Sequence, residues 1–441
     1  MHERHDVLRA RLIEDEHGGW RLSVPPAGTV DAADRLDRVD TAAAAEPAPL
    51  VADHLAGAVA RLAPRDGEML RAVWFDAGPD RPGRLLLVAH HLVVDGVSWR
   101  ILAQDLAELW AAAADGRDAA LPAVGTSVRR WSELLAAEAA TDHRQAELGF
   151  WAEVLSTPDA PLGTAPDRAG AAAAPAGRVA LTVPVGTAEA LLTRLPAEFH
   201  CGVEDVLLTA LGLAVVDRRR RLGGSATSLL VAVEGHGRDE GVGGADLSRT
   251  VGWFTSLHPV RLDLGPLLWA EVWSGGPAVG RVVKRVKEQL RAVPGTGIGY
   301  GLLRHLGSRP GAEPVGPAVP RIGFNYLGRI ALGSDPAGSW DVAPEALDLD
   351  LGAAAPDPAH DLELDVVAVD RAGGPELRAT LTFAPDALPE PDVRELGAGW
   401  LRALEALVAH AAGPGAGGHT ASDLPLAGLE QAEIELLEGE W

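Results

Sequence analysis

The feature that most constrains this chain is a stretch with no periodicity. Ser156–Gly177 reads STPDAPLGTAPDRAGAAAAPAG, rich in Pro, Ala and Gly, without a helical or a two-residue apolar repeat. Such a composition reads as a linker. On both sides of it, strand-type runs alternate with helical patterns. Before it, Val51–Leu62 has apolar residues at helical spacing. Arg71–Phe75 and Leu85–Ala89 read as two strands joined by the turn-rich Gly78–Gly83. Leu102, Leu106, Leu109 and Trp110 fall at i, i+4, i+7 and i+8, and Val128–Leu155 reads as one or two further helices. After the linker, Arg178–Val185 reads as a strand, a helix starts at Ala188, and Glu204–Val216 is another helix. Leu229–Val233 and Ile322–Tyr326 read as strands, Leu362–Val369 and Leu377–Phe383 as a strand pair, and Val279–Arg291 and Val393–Ala411 as helices. The expected class is α+β. The expected division is an N-terminal lobe at residues 1–160, a linker at 161–177 and a C-terminal lobe at 178–441.

Composition narrows the classes of function. Thirty-nine Lys and Arg against 62 Asp and Glu give a net charge of −23 over 441 residues. That balance argues against nucleic acid as the main partner, because phosphate affinity comes from clustered cations. A hydrophobic fraction of 47% excludes disorder of the whole chain. Cys201, the single cysteine, rules out an internal disulfide framework and any multi-cysteine metal site. The N-terminus MHERHDVLRA has no apolar h-region, and no apolar run approaches the roughly 20 residues that cross a bilayer. The expectation is a soluble, cytoplasmic, monomeric protein with no membrane partner.

The chemistry-bearing stretch is His90-His91-Leu92-Val93-Val94-Asp95-Gly96-Val97-Ser98-Trp99, between an apolar strand and a helix. One imidazole there can face a cleft while the other is held by the backbone, and neutral histidine is the usual general base. A histidine pair alone is better explained by structural residues at a strand end. The complete HHxxxDGxSW pattern is far more specific.

That pattern resembles the active-site signature of the condensation-domain superfamily of nonribosomal peptide synthetases. Further motifs resemble its epimerization branch: Glu234-Gly235-His236-Gly237-Arg238 (EGHGR), Arg249–Thr255 (RTVGWFT) followed by Pro259, Pro294–Gly301 (PxxGxGYG), and Phe324-Asn325-Tyr326-Leu327-Gly328 (FNYLG). Asp205–Gly212 resembles the family's DxLLxAxG helix. These run in family order over most of the chain. Asp239, where Glu is usual, and His258, where an aromatic residue is common, are mild departures. The chain is also expected to lack the family's first strand and helix, which would expose a sheet edge.

The resemblance implies two chloramphenicol-acetyltransferase-like lobes, each an α/β sandwich, arranged as a V. It implies L-to-D interconversion at Cα of an aminoacyl or peptidyl thioester on the phosphopantetheine arm of a peptidyl carrier protein, beside adjacent synthetase modules. No directly bound cofactor and no metal is implied. The chemistry needs a base on one face of Cα, a proton donor on the other, and a partner for the enolate oxygen. By the resemblance, His91 and Glu234 are the catalytic pair, brought together by a cleft between lobes. Glu234 would need its pKa raised by burial, and the apolar Leu229–Val233 run is consistent with that. Asp95 would pair with an arginine, with Arg9 or Arg11 as candidates. His90 would pack into the backbone network, and Gly96 and Gly235 would allow close backbone approach. Asn325 and Tyr326 would line the cleft. Ser98, Trp99, His236 and Arg238 complete the supporting set.

Alternatives of other classes are an amide-forming condensation domain and a non-catalytic docking module. Asp348, Asp350, Asp361, Glu363 and Asp365 read as solvated strand faces rather than a metal site. His236 has no second ligand at suitable spacing. Cys201 reads as a small buried hydrophobe. Arg218–Arg221 reads as a solvated helix end, with contact to an acidic carrier protein as the sharper alternative.

Overall fold

The computed structural model describes residues 1–42, 48–157, 159–162, 175–239, 241–307, 318–331, 340–343, 345–346, 349, 358–371, 373–426 and 428–439. Most of the sequence-predicted linker, together with Asp348 and Asp350, lies outside the described residues. In chain order the elements are β1 (Arg11–Glu14), β2 (Trp20–Ser23), β3 (Leu36–Asp40), α1 (Ala48–Ala60), β4 (Leu70–Asp76), β5 (Arg84–Ala89), α2 (Gly96–Ala114) and α3 (Val128–Ala139). There follow α4 (Asp142–Ala146), α5 (Leu148–Val154), β6 (Gly177–Val183), α6 (Val185–Glu189), α7 (Leu195–Phe199), α8 (Val203–Arg221), β7 (Ser228–Gly235), β8 (Ser256–Asp263), α9 (Trp269–Trp273), α10 (Pro277–Arg291) and α11 (Ile298–His305). The chain ends with β9 (Ile322–Ala331), β10 (Leu362–Arg371), β11 (Gly374–Phe383), α12 (Glu390–Ala411) and α13 (Gln431–Gly439). The α+β class is as expected.

The division into units is not the sequential one. The first unit comprises Met1–Glu138, His236–Thr255 and Leu332–Pro356; the second comprises Ala139–Gly235, Ser256–Ala331 and Asp357–Trp441. The expected boundary at 161–177 is therefore corrected on two counts. Residues of α5 bury Trp151 and Leu155 against Leu230, Tyr300 and Leu303, which assigns that helix to the second unit. The segment 236–255 returns to the first unit because its arginines pair with aspartates of α2, as described below.

In the first unit, β3, β4 and β5 form a three-stranded sheet in that order, β3 parallel and β5 antiparallel to β4. Val73, Phe75 and Val88 pack against Val51, Leu55 and Ala58 of α1. A second cluster gathers Val7, Leu8, Met69, Leu70, Val93, Val94, Ile101, Leu102 and Val251. It fixes the strand-to-helix junction between β5 and α2.

In the second unit, six strands run in the order β6-β11-β10-β9-β7-β8, with β9 parallel to both β10 and β7. Its apolar face carries Val231, Val233, Ile322, Phe324, Leu362 and Leu364, packed with α8, α10 and α12. Each such side chain buried contributes about 1.5–3 kcal/mol. Helix α8 is buried at every position from Asp205 to Arg219, so it has no solvated face. This corrects the solvated reading for Arg218 and Arg219, whereas Arg220 and Arg221 are exposed as expected. Arg218 reaches Asp392 at 2.8 Å and pairs with Glu395, both on α12; Arg219 reaches Asp159 at 3.2 Å and donates to the Ser228 carbonyl at 2.9 Å. Arg220 and Arg221 pair with Asp217 of their own helix at 2.7 and 3.1 Å. Cys201 is partly buried against the core, and burial pushes its thiol up to about 12. Among the described residues, no single helix is long and apolar enough to cross a membrane.

Candidate active site

The first unit carries one candidate group, built where β5 ends. His90 caps a 3-10 turn, His91–Val93, its Nδ1 accepting from the Leu92 amide at 3.2 Å. Its own amide donates to the Met69 carbonyl at 2.9 Å. Burial, and then the neighbouring His91, lower the His90 pKa. His90 is thus the backbone-held member of the pair, as anticipated. His91 is exposed, and its ring lies 4.8 Å from that of Trp253.

Asp95 is the N-cap of α2 and accepts from the Ser98 amide at 2.7 Å. Its arginine is Arg238, not Arg9 or Arg11. Arg238 Nη2 reaches Asp95 Oδ1 at 3.0 Å and Oδ2 at 3.1 Å. Arg9 instead donates to the carbonyls of His2 and Pro25. The remaining Asp95 lone pairs accept the Phe254 amide at 3.2 Å. Arg238 also donates to the Leu247 and Thr250 carbonyls at 2.8 and 2.7 Å, and its guanidinium lies 4.2 Å over the Phe254 ring. Ser98 is fully buried. Its hydroxyl donates to the Gly252 carbonyl at 2.9 Å and accepts the Gly252 amide at 3.0 Å. Trp99 packs beside the cluster of Val93 and Ile101. A Cβ at Gly96 would meet no protein atom within 4 Å, so close backbone packing is not its role. His236 is exposed, its Nδ1 accepting the Arg238 amide at 3.0 Å.

Sequence reading missed a second clamp of the same kind. Asp105, one long stride further along α2, pairs with Arg249 of the RTVGWFT segment and accepts from His5 Nε2 at 2.8 Å. The signal was present: each arginine motif has its own aspartate on one helix.

The second unit carries its own candidate group, on the polar face of the six-stranded sheet. Val233, Phe324 and Leu364 are aligned across β7, β9 and β10 and all face the core. One position further, alternation turns Glu234, Asn325 and Asp365 to the opposite face. Glu234 is half-buried. Burial, then the like charges of Asp365 and Glu363, push its carboxyl up to about 7. Asp365 is pushed up to about 6 by burial and by Glu363, against a hydrogen bond from Asn325 and the charge of Arg178. The expected solvated carboxylate face on β10 is therefore corrected. The alternation is real, but Asp365 is desolvated beside Glu234. Tyr326 packs at the edge of the core. The glycine of FNYLG, Gly328, has φ +80° at a bulge where β9 gains a residue on β10. At Gly235 a Cβ would sit 2.9 Å from Ser256 Oγ, a hydroxyl that would have to turn away.

The PxxGxGYG segment supports this unit. Gly297 has φ +78° as the N-cap of α11, and a Cβ there would overlap the His258 ring. A Cβ at Gly299 would overlap the Glu147 carboxylate, which Arg144 holds at 2.7 Å and Trp151 Nε1 at 3.1 Å. Burial lowers His258 to about 4, so it stays neutral. Among the described residues, no group of three or more His, Cys, Asp or Glu is placed to hold a metal ion.

The family model described as Condensation domain matches residues 1–420. The chain belongs to the condensation-domain family. This condensation-family chain is 35% identical over 446 residues to a linear gramicidin synthase of Brevibacillus parabrevis, covering 99% of the chain and 5% of that protein. It is 38% identical over 350 residues to chondramide synthase of Chondromyces crocatus, covering 78% of the chain and 8% of that protein. The chain thus spans a small fraction of the synthases it matches. Among solved structures, it is similar to the epimerization domain from the third module of tyrocidine synthetase B, at TM-score 0.75 and 27% identity over 93% of this chain and 87% of that one. A first condensation domain of the calcium-dependent antibiotic synthetase shares the fold at TM-score 0.63 and 22% identity, over 92% of this chain and 86% of that one.

Proposed function

We propose that this chain inverts Cα of an aminoacyl or peptidyl thioester carried on the phosphopantetheine arm of a peptidyl carrier protein within a nonribosomal peptide synthetase. The observation that carries the reading is Glu234. A carboxyl pushed up to about 7 at a strand end can both hold and release a proton near neutral pH. The likeness to an epimerization domain at 27% identity supports it.

In this reading one group removes the Cα proton, and the C–H electron pair moves into the thioester carbonyl as an enolate. The other group then delivers a proton to the opposite face of Cα, and the electron pair returns to form the new C–H bond. His91 and Glu234 are the two groups, exchanging roles with the direction of reaction. His90, Asp95, Ser98 and Arg238 act through the backbone they fix. Asn325 and Tyr326 are the candidates for positioning the thioester.

A second reading, amide formation between two carrier-bound substrates, is favoured by the family model and by the HHxxxDG pattern. The two separate in one experiment. The chain is added in deuterated water to a carrier protein loaded with an L-aminoacyl or L-peptidyl group, and the released product is analysed for chirality and Cα deuterium. The expected result is D-isomer carrying deuterium, reduced at least about 100-fold by His91→Ala and by Glu234→Gln. No exchange, with amide formed once an acceptor-loaded carrier is supplied, would give the second reading.

A further inference from the structure

The polar face of the six-stranded sheet carries more than Glu234. Strand β9 lies between β7 and β10, parallel to both. Asn325 is aligned with Asp365, and Glu234 follows Val233, the last residue of β7 paired with β9, so continuing that register by one position puts Glu234, Asn325 and Asp365 in one row. Adjacent strands are about 4.8 Å apart, so the two carboxylates stand roughly 10 Å apart along the sheet, nearer if they lean together over Asn325. Asn325 hydrogen-bonds the Asp365 carboxylate, which fixes that side chain in the row. Two residues back on β10, Glu363 shares the face, but it accepts the Ala359 amide at 2.8 Å. His360 lies over Gly323, with Nδ1 in contact with the Pro320 carbonyl at 2.9 Å. On the other side of β7, the partner of Glu234 is the apolar Leu257, and Val233 faces His258. Arg178 of β6 acts on Asp365. Within this unit, then, the charged groups that bear on Glu234 are Asp365 first and Glu363 second, both of its own sign.

We infer that Asp365 is a positioning residue, a fixed negative charge, tethered by Asn325, that holds Glu234 in its proton-bearing form. The inference rests on the reading of Glu234 as a proton-carrying group. Standing in the same row, an ionised Asp365 opposes ionisation of Glu234, the direction in which its like charge acts on that carboxyl. In L-to-D turnover with Glu234 as donor, activity falls as pH rises through the Glu234 titration. In the reverse direction, with Glu234 as base, it rises through the same titration. Asp365 sets where that limb lies without touching the substrate.

The test uses the full chain with and without Asp365→Asn, a substitution of the same shape that keeps a partner for Asn325. Two quantities are read: the pH dependence of Cα deuterium exchange on a loaded carrier protein, and the carboxyl titration of 13C-labelled glutamate, assigned to Glu234 by Glu234→Gln. The expected result is that both midpoints move down by about one pH unit, with KM for the loaded carrier unchanged within about twofold. Asp365→Glu restores at least half of the shift, and Glu363→Gln gives a smaller one. A Glu234 titration unmoved by Asp365→Asn overturns the inference, whatever happens to the rate, because a merely structural residue lowers rate without moving the midpoint. If the carboxyl titration moves but Glu234→Gln leaves exchange intact, the poise is real and the catalytic reading of Glu234 is what fails.

Discussion

Glu234 and Asp365 are a cost to the folded state, and the sign can be worked out. Burial, helped by the like charges of Asp365 and Glu363 for Glu234 and of Glu363 for Asp365, raises both carboxyls above their ordinary values, to about 7 and about 6. The folded chain therefore binds more protons than the unfolded chain between about pH 4 and 7. Stability falls as pH rises through that window, and the loss is complete above it. At pH 8, Glu234→Gln should stabilise the chain by roughly 1–2 kcal/mol after discounting for solvent screening, with no gain at pH 4. Urea denaturation at the two pH values measures it; equal gains at both would deny the electrostatic origin. A stabilising substitution that removes activity is what a strained functional group predicts. His91, Asp95 and Glu234 were legible because each sits in a spaced motif. Asp365 was visible only as one carboxylate of the period-two run Asp361, Glu363, Asp365. Its face follows from the alternation with Leu362, Leu364 and Val366, but its place beside Glu234 depends on a register with β9 that no local pattern encodes.

At the level of elements, glycines decide how tightly pieces can seat. In α11, Gly299 faces the Glu147 carboxylate, which is itself locked by Arg144 and Trp151 and cannot yield. A Cβ at Gly301, two residues on in the same helix, meets nothing within 4 Å. Gly299→Ala should therefore cost about 2–3 kcal/mol, while Gly301→Ala gains about 0.5–1 kcal/mol from helix propensity. Thermal denaturation of the two variants should show midpoints displaced in opposite directions. Strands such as Leu362–Val369 and helices such as Val393–Ala411 were read near their observed bounds, because apolar spacing follows from which face is buried. But Val128–Leu155, read as one or two helices, forms three, and β1, β2, β3 and β8 were not read. The single helix predicted at Glu204–Val216 extends to Arg221, since its arginines are satisfied by Asp392, Glu395 and Asp159. Those partners lie far away in sequence, so the helix end looked solvated when read alone.

At the scale of the molecule, the chain leaves the first unit after Glu138, returns for His236–Thr255, and returns again for Leu332–Pro356. The linker was conspicuous by composition yet marks no unit boundary, because α4 and α5 before it already belong to the second core. The return at 236–255 brings Arg238 to Asp95 and Arg249 to Asp105, aspartates that are almost fully buried. Leaving such a buried charge unpaired typically costs about 3–5 kcal/mol. A fragment ending at Glu138 should consequently fail to protect the amides of α2 against hydrogen exchange. Rejoining His236–Thr255 through a short flexible link should restore protection. Protection in the fragment alone would show that the clamps are dispensable. The same interleaving sets a rule for inheritance. A single genetic crossover between positions 138 and 236 joins the aspartates of one parent to the arginines of another. Recombinants of this chain that keep its fold should carry breakpoints in pairs, or outside the span from Asp95 to Arg249 altogether.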